Sequence, residues 1–222
     1  RRTNYNFSLQ RAIEWANKLS KPLLIFEPIE IDYPMASIRF HKFAIEGMQD
    51  MQKQTENSKA FYFPYVEEKK GIADDLLVEL SKNAAVVVTD DYPTYFVPQM
   101  TADAKGSIQT TYELVDSNGL LPIRIAEKEY VRAHDFRRFM HKNLEDFLVE
   151  VPEESPLEYL NIQFDEKLIE PILKKYELID FNNININDFL NNLNVDKSVE
   201  ISHVVGGYGA AQKRLDHFIK NG

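Results

Sequence analysis

Polar side chains follow several apolar runs of the sequence, and their types and positions could bind a ligand. "DSNGLLP", residues 116–122, puts an acid, a hydroxyl and an amide directly after an apolar stretch, and "VVVTDD" ends in two acids. Such groups can hydrogen-bond a polar planar molecule, and an aromatic ring beside them can stack on it. We call the six candidates the strand-end rim: Glu27, Tyr65, Asp90, Asp91, Asp116 and Asn118.

The rim depends on a parallel sheet, because only there do the carboxyl ends of neighbouring strands meet at one edge. A purely structural role is the alternative for each residue. Asp91 stands just before Tyr92 and Pro93 and would serve as a helix N-cap, while Asp116 and Asn118 would serve an ordinary tight turn. We expect no catalytic residue and no metal site in this chain.

Helical and strand-like segments alternate along the first two thirds of the chain. Residues 5–20 and about 35–51 have apolar residues at helical spacing, and two further helices are predicted, around residues 72–80 and at "TYFVPQM". The predicted strands are "KPLLIFEPI", "AFYFPYV", "AAVVVTDD" and "YELVDSN". This order predicts an α/β fold, a doubly wound, parallel, five-stranded Rossmann-like sheet, with its first strand expected upstream of Arg1.

Composition excludes several classes of function. The 222 residues contain no cysteine, so disulfides and thiolate chemistry are absent, and their net charge of −9 disfavours a surface that binds DNA throughout. No apolar run is long enough to span a membrane, and no export signal opens the sequence. The basic stretch at 132–142 is interpreted as a solvent-exposed helix face. "GGYGAA" at 206–211 does not fit a dinucleotide-binding glycine pattern.

Five stretches together resemble the photolyase and cryptochrome family, and most closely the class II cyclobutane pyrimidine dimer photolyases. The stretches "VVVTDDYP" and "VDSNGLLP" are similar to the family's fourth and fifth strand ends, although Asn118-Gly119 replaces the His-Asn usual in class II. The first two helices match R-x-x-x-N-x-[AS]-L and R-x-x-x-F-x-x-x-G through Arg2, Asn6, Ser8, Leu9, Arg39, Phe43 and Gly47. The closing stretch is similar to GG-x-x-AA-x-x-x-L-x-x-F through Gly206, Gly207, Ala210, Ala211, Leu215 and Phe218.

The resemblance implies a division of the chain into three parts. Residues 1–148 would form a Rossmann-like domain that holds an antenna chromophore, namely a deazaflavin, folate or flavin, with the strand-end rim as its site. Residues 149–203 would be a linker that wraps a neighbour, and residues 204–222 would begin the helical domain that binds FAD. We expect the rest of that domain, with its DNA groove, downstream of Gly222, so that the chain alone is inactive.

The implied activity is that of a deoxyribodipyrimidine photolyase, a lyase that repairs UV-damaged DNA by light-driven electron transfer from FAD. We expect a cytoplasmic monomer without a membrane anchor. Two alternatives stay open at this point, a stand-alone nucleotide-binding or signalling module and a cryptochrome-like photosensor without repair activity. Within the antenna domain, Arg2 and Asn6 are interpreted as architectural residues that hydrogen-bond nearby backbone.

Overall fold

The computed structural model describes residues 2–181 and 183–222, which contain eight α-helices and four β-strands. The predicted boundary at Arg1 and the Asn182 part of the linker lie outside the described residues. In chain order the elements are α1 (Phe7–Leu19), β1 (Leu24–Ile29), α2 (Ile38–Thr55), β2 (Phe61–Val66), α3 (Ile72–Ser81), β3 (Val86–Asp90), α4 (Val97–Ser107), β4 (Thr111–Val115), α5 (Ala133–Phe147), α6 (Glu170–Leu173), α7 (Ile186–Asn192) and α8 (Tyr208–Asn221).

The four strands form two parallel pairs, β1 with β2 and β3 with β4. Phe26 lies opposite Phe63 in the first pair and Val88 lies opposite Glu113 in the second. A helix connects the strands of each pair, α2 in one and α4 in the other, as parallel neighbours require. The α/β class and the four predicted strands are confirmed, and the single five-stranded sheet stays a prediction.

The loop before α1 is fixed by its own side chains. Arg2 donates to the carbonyl oxygen of Tyr5 from Nε (3.2 Å) and Nη2 (3.1 Å), and Asn6 Nδ2 donates to the carbonyl of Arg2 at 3.0 Å. Asn6 is also the N-cap of α1, because its Oδ1 accepts from the backbone N–H of Leu9 at 3.0 Å. The predicted architectural roles of Arg2 and Asn6 are therefore confirmed.

Helix α2 buries only part of the apolar stripe that its sequence pattern predicts, which consists of Phe40, Phe43, Ala44, Gly47, Met48 and Met51. Met48 and Met51 are buried as expected, together with Ile45 from outside the stripe, but Phe40 and Phe43 are about half exposed, at 51% and 48%. The helix instead buries His41, whose ring nitrogens lie 3.0 Å from the carbonyl oxygen of Ser37 and 3.2 Å from that of Glu30. A polar ring with both nitrogens hydrogen-bonded thus lies in the core next to two phenylalanines that are half exposed.

The predicted linker packs onto the α/β elements. Phe181 (1% exposed) and Leu190 (0%) belong to a cluster with Ile45 and Met48 of α2. A second cluster joins the predicted linker to β2 and α3, and its buried members are Phe63, Tyr65, Ala73, Leu76, Ile169, Ile172 and Tyr176. Residues 160–193 therefore contribute to the core around β1 and β2, while the division into three domains stays a prediction.

None of the helices described here combines the length and the apolarity that a membrane span needs.

Candidate functional site

Asp91 is the centre of a polar group at the carboxyl ends of β3 and β4. Arg124 Nε donates to Asp91 Oδ2 at 2.6 Å, in an ion pair where the Asp91 side chain is 26% exposed and that of Arg124 is 70% exposed. Asn118 Nδ2 donates to the Asp91 carbonyl at 3.1 Å, and the Asp91 N–H donates to the Val115 carbonyl at 2.8 Å. The hydrogen bond to Asp91 raises the pKa of the Arg124 guanidinium, which stays charged.

Asp91 does not cap a helix, contrary to the structural alternative for this residue. Helix α4 begins only at Val97, and the residue before it, Phe96, makes no side-chain capping hydrogen bond. Asp91 is instead engaged by Arg124 and Asn118, so two of the predicted rim residues are in direct contact.

Asp116 closes the loop that follows β4. Its Oδ2 accepts from the backbone N–H of Ile123 at 2.6 Å, which supports the alternative reading as a loop-forming residue. Its Oδ1 is buried and has no hydrogen-bond partner among the described residues. A buried carboxylate oxygen without a donor is uncommon and leaves one acceptor for a further N–H or O–H group.

Helix α1 contacts the same strand pair through two polar groups. Ser8 Oγ donates to Asp90 at the end of β3. Glu113 of β4 accepts from Arg11 Nε and from Trp15 Nε1, both at 2.6 Å. The Arg11 hydrogen bond, with that of Trp15, lowers the pKa of Glu113 against a smaller opposing effect of burial. Glu113 lies in a strand interior, so no strand-end pattern could have indicated it.

Glu27 and Tyr65, the other two rim candidates, are buried in the β1–β2 pair. Glu27 is 7% exposed and accepts from the Tyr62 hydroxyl at 2.5 Å. Tyr65 is 8% exposed, and its ring lies edge-on against Tyr176 at 6.1 Å between centroids. Burial, followed by the nearby Glu68 carboxylate, raises the pKa of the Tyr65 hydroxyl. The structure brings together Asp91 and Asn118 with Asp90 and Asp116 at neighbouring strand ends, and it keeps Glu27 and Tyr65 in the core.

A second acidic group follows β1 and β2. Glu67 is 1% exposed and accepts from the N–H groups of Ile31 and Ala73, each at 3.3 Å, so it caps the start of α3. Burial raises the pKa of Glu30, as do the carboxylates of Asp74 and Glu67. Sequence reasoning missed these residues, since a Glu just after a strand looks like solvent-exposed loop.

Two surface cavities of ligand size lie in the described part of the chain. One, of about 380 Å³, is formed by the loops after β1 and β2 together with Asn194. The other, of about 300 Å³, lies before β3 and β4, at the edge opposite the predicted rim. Neither of these two cavities is lined by a rim residue.

The two glycine-containing motifs meet at the start of α8. Gly206 N donates to Glu46 Oε2 at 2.9 Å and Gly209 N donates to Asp50 Oδ2 at 3.1 Å, so α2 supplies carboxylates to the N-terminus of α8. A Cβ on Gly206 would lie 2.0 Å from the Phe43 carbonyl oxygen, and a Cβ on Gly47 would lie 3.8 Å from the nitrogen of Gly207. The motif of Arg39, Phe43 and Gly47 on α2 therefore provides the surface on which the closing glycine motif docks.

The site can hydrogen-bond a ligand, and no group of three potential metal-ligating side chains is found among the described residues. Arg124 and Asn118 are exposed donors, whereas the unpartnered Asp116 Oδ1 is buried. The two exposed donors suit a planar molecule that carries carbonyl oxygens.

Comparison with known proteins finds a relative that aligns with most of the chain. No family model matches the chain. The deoxyribodipyrimidine photo-lyase of Methanothermobacter thermautotrophicus is 29% identical to the chain over 171 residues. The match covers 77% of this chain and 36% of the relative, so the chain spans little more than a third of the relative's length. The family resemblance of the sequence motifs is confirmed, and the match supports membership of this chain in the photolyase family.

Proposed function

We propose that this chain is the amino-terminal part of a DNA photolyase and that its α/β elements hold a light-harvesting chromophore. The observation that carries the proposal is the similarity to a deoxyribodipyrimidine photo-lyase across 77% of the chain. The proposed reaction of the whole protein is the repair of cyclobutane pyrimidine dimers in UV-damaged DNA, in the cytoplasm.

FAD is the proposed catalytic cofactor, and when bound it supplies the electron that opens the dimer. The contribution of this chain is to orient the start of the FAD-binding domain. Docking of Gly206 and Gly209 on Glu46 and Asp50 supports this role, because it fixes where α8 leaves the α/β elements.

The proposed antenna site is the polar group after β3 and β4. Deazaflavin, folate and flavin rings all present carbonyl oxygens and polar nitrogens along one edge. Arg124 and Asn118 would donate to the carbonyl oxygens, and Asp116 would hold the loop that carries both donors through its hydrogen bond from Ile123 N. Glu27 and Tyr65 are buried and fit less well, so we propose the site without them.

Titration of the purified chain with a deazaflavin, a folate and FMN tests the proposed antenna site. We expect one of the three to bind with a red-shifted absorption band, and Asp116→Ala to weaken that binding at least ~10-fold, because the loop that carries Asn118 and Arg124 loses the charged hydrogen bond that closes it. Asp216→Ala, on the exposed face of α8, is the matched control and leaves binding unchanged. Absence of binding by all three compounds, or equal weakening by both variants, would contradict the proposal.

A further inference from the structure

Helix α5 carries a row of basic and histidine side chains that the proposed antenna site does not use. His134, Arg137, Arg138, His141 and Lys142 recur at three- and four-residue spacing, so they lie on one side of the helix. All five are exposed. We call them the basic stripe, which is about 12 Å long at the α-helical rise of ~1.5 Å per residue.

The three permanent cations of the stripe have no ion-pair partner in the described part of the chain. The ion pair found on the stripe joins His134 Nδ1 to Asp135 Oδ1 at 3.6 Å, and none involves Arg137, Arg138 or Lys142. Residues 132–142 contain four Lys or Arg residues and one Asp, a local net charge of +3 in a chain whose net charge is −9. The stripe is therefore a local positive surface on an acidic protein.

The opposite side of α5 is held by an aromatic cluster. The ring of Tyr130 lies 5.6 Å from that of Phe136 and 5.2 Å from that of Phe139, between centroids. Phe139, Met140 and Leu144 are half-buried. A helix that lies in a membrane surface inserts its apolar side into the lipid. Because these apolar residues of α5 are partly covered by protein, the helix favours a partner that is bound through charge.

We propose that the basic stripe of α5 binds the sugar-phosphate backbone of duplex DNA. The choice of DNA among polyanions rests on the proposed photolyase function. Phosphates of one strand are spaced ~3.4 Å along the duplex axis, so the stripe is long enough to meet about three of them. The stripe ends before Glu145 and Asp146, which would repel DNA and confine the contact to the first turns of α5.

The proposed contact positions DNA and does not recognise the lesion. Phosphate contacts set the register and orientation of a protein on the duplex, but they carry no information about the bases. The stripe would therefore attract damaged and undamaged DNA alike to the α/β part of the chain.

Fluorescence anisotropy of a labelled duplex, in the dark and without any chromophore, is the first test. For residues 1–222 and a duplex of about 20 base pairs, we expect log K to fall with log [NaCl] with a slope of about −3, roughly one unit for each permanent cation. UV-irradiated and undamaged duplexes should bind equally. A slope near zero, or a preference for the irradiated duplex, would overturn the proposal.

A double variant, Arg137→Gln with Arg138→Gln, is the second test. We expect it to weaken duplex binding at least ~10-fold at 50 mM NaCl and to reduce the salt slope by about two. Glutamine keeps a good helix propensity and both side chains are exposed, so the melting temperature should not change.

The matched control is Lys213→Gln with Arg214→Gln, two exposed neighbours on α8. It removes the same net charge from another helix and should change binding less than about twofold, since exposed charges beyond the Debye length are largely screened. Equal weakening by both double variants would assign binding to net charge and overturn the role of the stripe.

Phosphatidylserine vesicles test the competing kind of partner. Cosedimentation with vesicles that Arg137→Gln with Arg138→Gln abolishes, without binding of the duplex, would make a membrane the partner and overturn the choice of DNA. None of these measurements uses a deazaflavin, a folate, a flavin or light. Failure of the stripe to bind DNA is therefore distinguishable from failure of the chromophore titration that tests the proposed function.

Discussion

Two glycines at the start of α8 determine how closely that helix approaches α2. Gly207 has φ +100°, a conformation that side chains other than glycine rarely adopt, and Gly206 lies where a Cβ would come within 2.0 Å of a backbone oxygen of α2. Because the obstacle is backbone, no side-chain rotation can relieve it. The two glycines are therefore needed for the close packing of α8 on α2, in addition to matching the closing sequence motif.

Gly206→Ala is expected to destabilise the protein by about 1–3 kcal/mol, since α8 must move away from Phe43 and loses its bond to Glu46. Gly106→Ala is the control, because Gly106 lies in α4 with open space around its Cβ position. Alanine there should stabilise by roughly 0.5–1 kcal/mol through helix propensity. Urea unfolding of both variants measures the contrast, and similar values would contradict the packing argument.

Glu113 is expected to stabilise the protein in a pH-dependent way. Its pKa is lowered by Arg11, so its contribution is present above the ordinary glutamate pKa and is lost as the pH falls through the lowered value. Glu113→Gln should cost about 1 kcal/mol at pH 7, and the difference from wild type should disappear near pH 3.

Urea unfolding of wild type and Glu113→Gln at pH 7 and pH 3 measures this difference. Glu14→Gln is the control, because Glu14 bonds the same Arg11 but is 52% exposed, and it should change stability by less than about 0.5 kcal/mol. A Glu113→Gln cost that persists unchanged at pH 3 would assign it to packing rather than to charge.

Sequence reasoning identified residues whose partners are local and missed those whose partners are distant. Asn6 lies next to the helix that it caps, so its role follows from position alone. The partner of Asp91 is Arg124, 33 residues further along the chain. The loop that brings Arg124 back to Asp91 has no apolar periodicity from which its path could be predicted. The apolar run before Glu27 predicts a place for it at the rim. In the structure Glu27 lies within β1, and its carboxylate accepts a hydrogen bond from the hydroxyl of the buried Tyr62.

At the scale of elements, the alternation of helices and strands was predictable and the connection of the strands was not. Apolar periodicity is a property of each segment, so α1, α2 and all four strands could be assigned from the sequence. Strand pairing depends on which neighbours are present. The structure has two separate parallel pairs, β1 with β2 and β3 with β4, and the sequence pattern of a single strand does not specify which strand lies beside it.

Residues of the predicted linker are buried in the core, and truncation of one of them tests how much the linker stabilises the protein. Phe181→Ala removes a ring that is 1% exposed and packed against α2, so it should cost about 3–4 kcal/mol. Phe218→Ala removes the same ring from α8, where it is 68% exposed, and should cost less than about 0.5 kcal/mol. Thermal or urea unfolding distinguishes the two, and equal small effects would show a linker that only touches the surface.

At the scale of the whole molecule, the net charge is −9, and several of the acidic residues lie near the strand ends. One acidic group follows β1 and β2 and consists of Glu30, Glu67 and Asp74. The other lies at the ends of β3 and β4 and consists of Asp90, Asp91 and Asp116. Mutual repulsion is compensated at Asp91 by Arg124 and at Glu67 by two backbone N–H groups. Glu30 is less well compensated, because burial and nearby carboxylates raise its pKa.

Glu30→Gln is therefore expected to stabilise the protein at pH 7, by about 0.5 kcal/mol. A raised pKa means that the charged form costs stability, fully at neutral pH and not at all once the pH is below the ordinary glutamate value, so the advantage should vanish near pH 4. It should also shrink in 0.5 M NaCl, where repulsion from Asp74 and Glu67 is screened. Glu145→Gln on the exposed face of α5 is the control, expected to show neither dependence. Unfolding of wild type and both variants across this pH and salt range tests the prediction. A Glu30→Gln advantage that survives at pH 4 would mean that the uncharged amide packs better. Repulsion at the strand ends would then not be what limits stability.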